Sequence, residues 1–185
     1  MASTKIIFDT TDFDNHMRNI VRVIIPSIAQ RAMTKVCDTV ITDSVKQIPT
    51  VPLRDSFLRG SGTGWVNNDL AAKSRYGVVD EETVTKRHRP PVSEPVIPVL
   101  STVGIVAFTK HYAAYQHEGV SRTSGRPLHY RVPGAGAKYL TKTLYSNVTK
   151  YVNLLQNEFT ISMAYINESN AMLPAFSPGT PTPTF

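Results

Sequence analysis

The chain has 185 residues, 41% of them hydrophobic, with 20 Lys and Arg against 14 Asp and Glu, a formal net charge of +6. That is the size of one domain with room for arms, and the excess of base is too small to name a nucleic-acid partner by itself. The single cysteine, Cys37, excludes an intramolecular disulfide framework and a Cys-rich zinc site and points to a reducing compartment. The acids from residue 9 onward do not fit a signal peptide, and the longest nearly apolar stretch, 96–108, is broken by Pro98, Ser101, Thr102 and Gly104 and too short to cross a bilayer.

The first element lies between Asp12 and Ile48. Apolar residues recur at Phe13, Met17, Ile20, Val21, Ile24, Ile28, Ala32, Met33, Val36, Val40, Ile41, Val45 and Ile48. That three-to-four spacing predicts an amphipathic helix, capped by Thr11 or Asp12 and stopped by Pro49 and Pro52. Pro26 predicts either a kink or two helices, 12–25 and 27–48. The glycine-rich run 60–64 looks like a mobile linker and opens a long loop insertion over 60–98. Within it, 74–80 and 82–89 are rich in β-branched residues and predict a hairpin, with Asp80, Glu81 and Glu82 at its solvated tip. Residues 89–98 carry four prolines and predict an extended linker.

Residues 99–108 are the best strand, rich in Val and Ile. Residues 120–137 predict an exposed loop, and 137–159 a second helix with a stripe of Tyr139, Leu140, Thr143, Leu144, Val148, Tyr151, Val152 and Leu155. A short element over 160–167 follows, then a proline-rich extended arm, 174–185. The expected fold is α+β. A single domain, 1–173, packs both helices on one face of a small, mainly antiparallel sheet, with core residues Ile20, Ile24, Val36, Val40, Ile105, Val106, Tyr112, Leu140, Leu144 and Val148.

The search for chemistry returns no catalytic motif, so an enzyme is not expected, nor is a cofactor. His111, His117, Glu118 and His129 are close in sequence, but His111 and His117 on one straight strand would stand about 20 Å apart, too far to share an ion. Cys37 sits on the helical pattern with no base beside it, which predicts a buried structural thiol. Two basic groups, Lys86, Arg87, His88 and Arg89 and then Arg122, Arg126, His129 and Arg131, can contact phosphates without reading sequence.

Three stretches, in order, resemble a known family. They are the long helix running into IPTVPLRDSF (48–57), the run HYAAYQHEG (111–119), and a Pro/Gly loop followed by AKYLTKTLYSNVTKYVNLLQNEF (137–159). The set is similar to the tail-completion or head–tail connector proteins of tailed bacteriophages, the group that includes the lambdoid minor tail protein Z. The resemblance implies a non-enzymatic structural protein of the virion neck, assembled in the host cytoplasm. Its expected partners are identical copies in a ring, six by tail symmetry, and adjacent neck, portal-side and tail proteins, without a membrane.

On this reading Arg54, Asp55, Arg59, Tyr112, Tyr115, His117 and Glu118 lie at subunit contacts, and Phe176 and Phe185 anchor the arm on another chain. Lys86, Arg87, Arg89, Arg122, Arg126 and Arg131 face passing DNA or a partner. A minor capsid or tail-terminator subunit, or a DNA-binding protein without sequence preference, are the alternative readings.

Overall fold

The structure, a computed structural model, describes residues 11–52, 56–90 and 101–171. The N-terminal helix runs as α1 (Thr11–Asn19), a π-helical turn (Ile20–Ile24) and α2 (Ile25–Lys46). Pro26 stands in the first turn of α2 and has no N–H to give. The preceding turn widens so that the Ile25 N–H reaches the Ile20 carbonyl, five residues back. The chain therefore passes the proline without leaving the helix.

The sheet has three antiparallel strands, β1 (Gly62–Val66), β2 (Asp69–Lys73) and β3 (Gly104–Phe108), in the order β2-β1-β3. The glycine-rich run is thus the central strand, buried along its whole length, and the expected mobile linker is corrected. Its glycines answer a packing need. A Cβ on Gly64 would lie 2.8 Å from the Cys37 Cβ and 3.1 Å from the Ala72 Cβ, and one on Gly62 would lie 2.9 Å from Ile41 Cγ2. Helix α2 lies directly on these two residues, closer than a side chain permits. We expect Gly64→Val to cost about 1–3 kcal/mol by overpacking, read as a lower urea midpoint at an unchanged slope.

The sheet's other face carries α4 (Glu81–Arg87), which follows the short helix α3 (Phe57–Gly60) and the β1–β2 hairpin. The hairpin expected over 74–89 is therefore corrected: 74–80 form no strand, and 81–87 are helical. Asp80 caps it, its carboxylate accepting the Thr83 N–H at 3.0 Å, with Glu81 and Glu82 in the first turn and Lys86 and Arg87 in the last. Trp65 is buried beneath it, and its Nε1 donates to the Arg87 carbonyl at 3.1 Å.

Past β3 come α5 (Ala113–Glu118), α6 (Tyr139–Ser146) and α7 (Val148–Ala171). The expected helix 137–159 breaks at Asn147, and the short element expected at 160–167 is part of α7. Helix α7 packs antiparallel on α2, away from the sheet. Gln47 accepts from Asn147 at 2.7 Å, Asp43 accepts from Lys150 at 2.7 Å and from Tyr151 Oη at 2.9 Å, Lys35 pairs with Glu158, and Arg31 bonds Ser162. The expected α+β fold is observed: α2 covers one face of the sheet along its length, and the second helix reaches the sheet at the start of α6, where the Tyr139 ring meets Phe108 edge-on at 5.3 Å.

The core forms two clusters. One joins Val45, Val51, Leu58, Phe108, Ala113 and Tyr139; the other joins Cys37, Ile41, Val66 and Ala72, with Val106 packed against it. Val40 is buried as expected, whereas Leu144 and Val148 are exposed, Val148 by 52%. Ile20, Ile24, Val36, Ile105, Tyr112 and Leu140 are half-buried. Arg54, Asp55, Phe176 and Phe185, with the rest of the arm, lie outside the described residues.

Candidate assembly surfaces

Helix α5 brings Tyr112, Tyr115, His117 and Glu118 into one short segment. Gly119 ends it in the left-handed conformation, φ 74°, with its N–H on the Tyr115 carbonyl. His117 faces inward: its Nδ1 lies 3.1 Å from Glu118 Oε1, its Nε2 3.0 Å from Thr141 Oγ1, and its ring meets Tyr139 edge-on. Glu118 also pairs with Lys138, and the Lys138 hydrogen bond, then that of His117, holds its carboxyl below the usual range. These contacts lock α5 to α6 within the chain. Tyr115 is exposed. Arg59 is half-buried; its Nε donates to the Val51 carbonyl at 3.0 Å, bracing the segment before α3.

Beside α5 lies a cleft of about 770 Å³. Pro52, Leu58 and Tyr112 form one wall and Leu128, Tyr130 and Arg131 the other. The loop that supplies the second wall is held back onto α5. The Leu128 N–H donates to the Gly119 carbonyl at 2.8 Å, and Tyr130 Oη donates to the Gln116 carbonyl at 2.6 Å. Burial raises the Tyr130 phenol above its ordinary value. No motif in the loop announces this wall; the signal is the pair of aromatics, Tyr112 and Tyr130, flanking a glycine turn.

Helices α1, α2 and α7 expose apolar residues. Met17, Val21 and Ile25 recur at i, i+4 and i+8 and are exposed along α1, the π-turn and the start of α2, with Val23 exposed on the opposite side. On α7, Tyr151, Glu158 and Ser162 face α2 and are buried, while Val148, Val152 and Met163 are exposed on an adjoining face that also holds the half-buried Leu155 and Phe159.

The basic groups separate. Arg87 is buried and donates to the Gly60 carbonyl, and desolvation lowers its pKa, so it leaves the DNA-facing set. Lys86 pairs with Glu82 at 2.7 Å. Arg89, Arg122, Arg126 and Arg131 are exposed. The acidic run is no solvated tip: Asp80 and Glu82 both hold Lys110, and Glu82 also meets His111.

Cys37 is buried, and burial pushes its thiol up to about 11. Among the described residues no group of three or more His, Cys, Asp or Glu is placed to hold a metal ion, and no helix is long and apolar enough to cross a membrane. Comparison with protein-family models, with curated proteins and with solved structures finds no match.

Proposed function

We propose that this chain is a structural subunit of the neck of a tailed bacteriophage, which docks onto copies of itself in a closed ring of six and onto adjacent neck, portal-side and tail proteins, without catalytic turnover. One observation carries the reading: the described part of the chain leaves apolar faces uncovered on two separate helices, α7 and the stretch around the π-turn. Contiguous exposed apolar surface marks interaction sites. A ring of identical copies needs two different surfaces that meet between neighbours, and the presence of two separate uncovered faces supports that reading. The ordered likeness of 48–57, 111–119 and 137–159 to the connector family supplies the particle and the six-fold symmetry.

The test is reconstruction of the particle together with a face variant. Val148→Asp with Val152→Asp adds charge at exposed positions, so the fold is retained by circular dichroism while incorporation into particles falls at least about tenfold. A reconstruction with a single off-axis copy, or normal incorporation of the variant, overturns the ring. The exposed Arg122, Arg126 and Arg131 on one loop favour a secondary contact with passing DNA. That contact would weaken steeply with salt.

A further inference from the structure

We propose that the cleft beside α5 is the receptor for the proline-rich segment 172–185 of a neighbouring copy. The idea rests on the self-assembly reading above for the identity of the donor. Its physical basis is the match between cleft and segment. The cleft is lined by the half-buried Tyr112, Leu128 and Tyr130, backed by the buried Pro52 and Leu58, and the Tyr130 hydroxyl is already spent on the Gln116 carbonyl, which holds its ring in place. Grooves lined with aromatic rings recognise Pro-x-x-Pro segments in an extended conformation, because the proline rings lose little entropy on binding. The segment 172–185 carries Pro178-Gly-Thr-Pro181, two further prolines, Phe176 and Phe185, and no charged side chain.

Distance selects a neighbour's Phe176 over the chain's own. Helix α7 begins beside Gln47, at the end of α2 from which the chain passes to Pro52 and the cleft. It then runs 24 residues away from that end, about 36 Å. Phe176 follows Ala171 by five residues, a span of about 16 Å even when fully extended as polyproline. Phe176 cannot return to its own cleft, whereas Phe185, fourteen residues past Ala171, has a reach of about 43 Å. A contact made through Phe176 therefore joins two copies, and where the acceptor passes its own segment to a third copy rather than back, it is heterologous and propagates around a ring.

The experiment uses the full-length chain carrying Phe176→Ser and Phe185→Ser, which disarms its own segment. A synthetic peptide of residues 172–185 is titrated into it, and amide hydrogen exchange maps the footprint. Saturable binding with protection over 112–116 and 128–135 is expected. The uncharged peptide should bind within about twofold as tightly at 500 mM as at 50 mM salt, and a peptide with Phe176→Ser should bind at least about tenfold more weakly. Leu128→Asp in the acceptor, shown to be folded, should abolish the footprint.

In the otherwise unaltered chain, a photo-crosslinking residue at 176 and a mixture of heavy- and light-isotope copies should give heavy–light pairs. Protection on α1 or α7 instead, binding that fails to saturate, or crosslinks only within one chain would overturn the proposal. The two readings part cleanly. A peptide that protects the cleft on a chain that never forms rings upholds the receptor and removes the ring. A ring whose peptide footprint lies elsewhere does the reverse.

Discussion

Replacing Trp65 with alanine is expected to remove about 3–5 kcal/mol of folding stability. The indole is 1% exposed and stands on the central strand, on the face that α4 covers. Its Nε1 donates to the Arg87 carbonyl at 3.1 Å, and the Arg87 side chain in turn donates to the Gly60 carbonyl just before the same strand. One side chain therefore joins β1 to the end of α4, and its loss leaves a cavity together with a carbonyl stripped of its donor. Trp65→Phe separates the two contributions. It refills most of the space but restores no bond, so it should lose about 1–3 kcal/mol. Urea unfolding followed by circular dichroism measures both, and in the unaltered chain the only tryptophan offers a second, fluorescent probe of the same transition. An alanine variant within about 1 kcal/mol of the parent would show that α4 does not rest on the indole.

The elements legible in the sequence are those whose own residues decide them. Helix α2 shows its three-to-four repeat because one face meets a sheet, and β3 shows its β-branched content because it is a strand between half-buried faces. The central strand was hidden by what makes it central. Gly62 and Gly64 carry no Cβ because α2 lies on them, and glycine read locally means a loop. The better signal was the turn: Asn67 and Asn68, both with positive φ (50° and 71°), join GTGWV to DLAAK as a two-residue hairpin. In α4 the β-branched Thr and Val outweighed a helix charge pattern that was also present, acid at the start and base at the end.

The assembly surfaces were half legible. The run from Tyr112 to Glu118 is contiguous, so it reads as a unit. Its partner wall, Leu128 to Arg131, is brought back by loop hydrogen bonds that no periodicity records. The stripe over 139–155 was too wide for one helix face. The structure divides it, sending Tyr139, Thr143 and Tyr151 inward and leaving Leu144, Val148 and Val152 outside. The inward face of α7 is partly polar, with Glu158 and Ser162 matched to Lys35 and Arg31. Such pairs are invisible until the two helices are set side by side.

Replacing Lys110 with methionine is expected to cost about 1–2 kcal/mol at neutral pH, and that cost should fade in acid. The Lys110 side chain is 3% exposed; its ammonium pairs with Asp80, lies 3.1 Å from Glu82 Oε2 and sits above the Phe57 ring. Burial opposes the charge, but the hydrogen bonds to Asp80 and Glu82 outweigh it and raise the pKa. The carboxylates move the other way. The Lys110 hydrogen bond, then those from Thr83, holds Asp80 well below the usual range. Glu82 is held at about 2, first by Lys86, with burial opposing, then by Lys110 and His111.

A carboxyl whose pKa is depressed by folding contributes fully above its unfolded value, about 4. That contribution disappears as pH falls through the folded value, for Glu82 about 2. Both carboxylates are about a third exposed, so solvent screens the charges that Lys110→Met leaves behind and keeps its cost below that of breaking a fully buried pair. The stability gap between parent and Lys110→Met should therefore narrow as pH falls from about 4.5 towards 2, because over that range the unfolded chain takes up protons at carboxyls that the folded parent still holds ionised on Lys110. A gap that stays constant across that range would mean that methionine acts through packing alone. A narrowing gap would tie the placement of α4, and of His111 and Tyr112 at the mouth of α5, to the charge on one lysine.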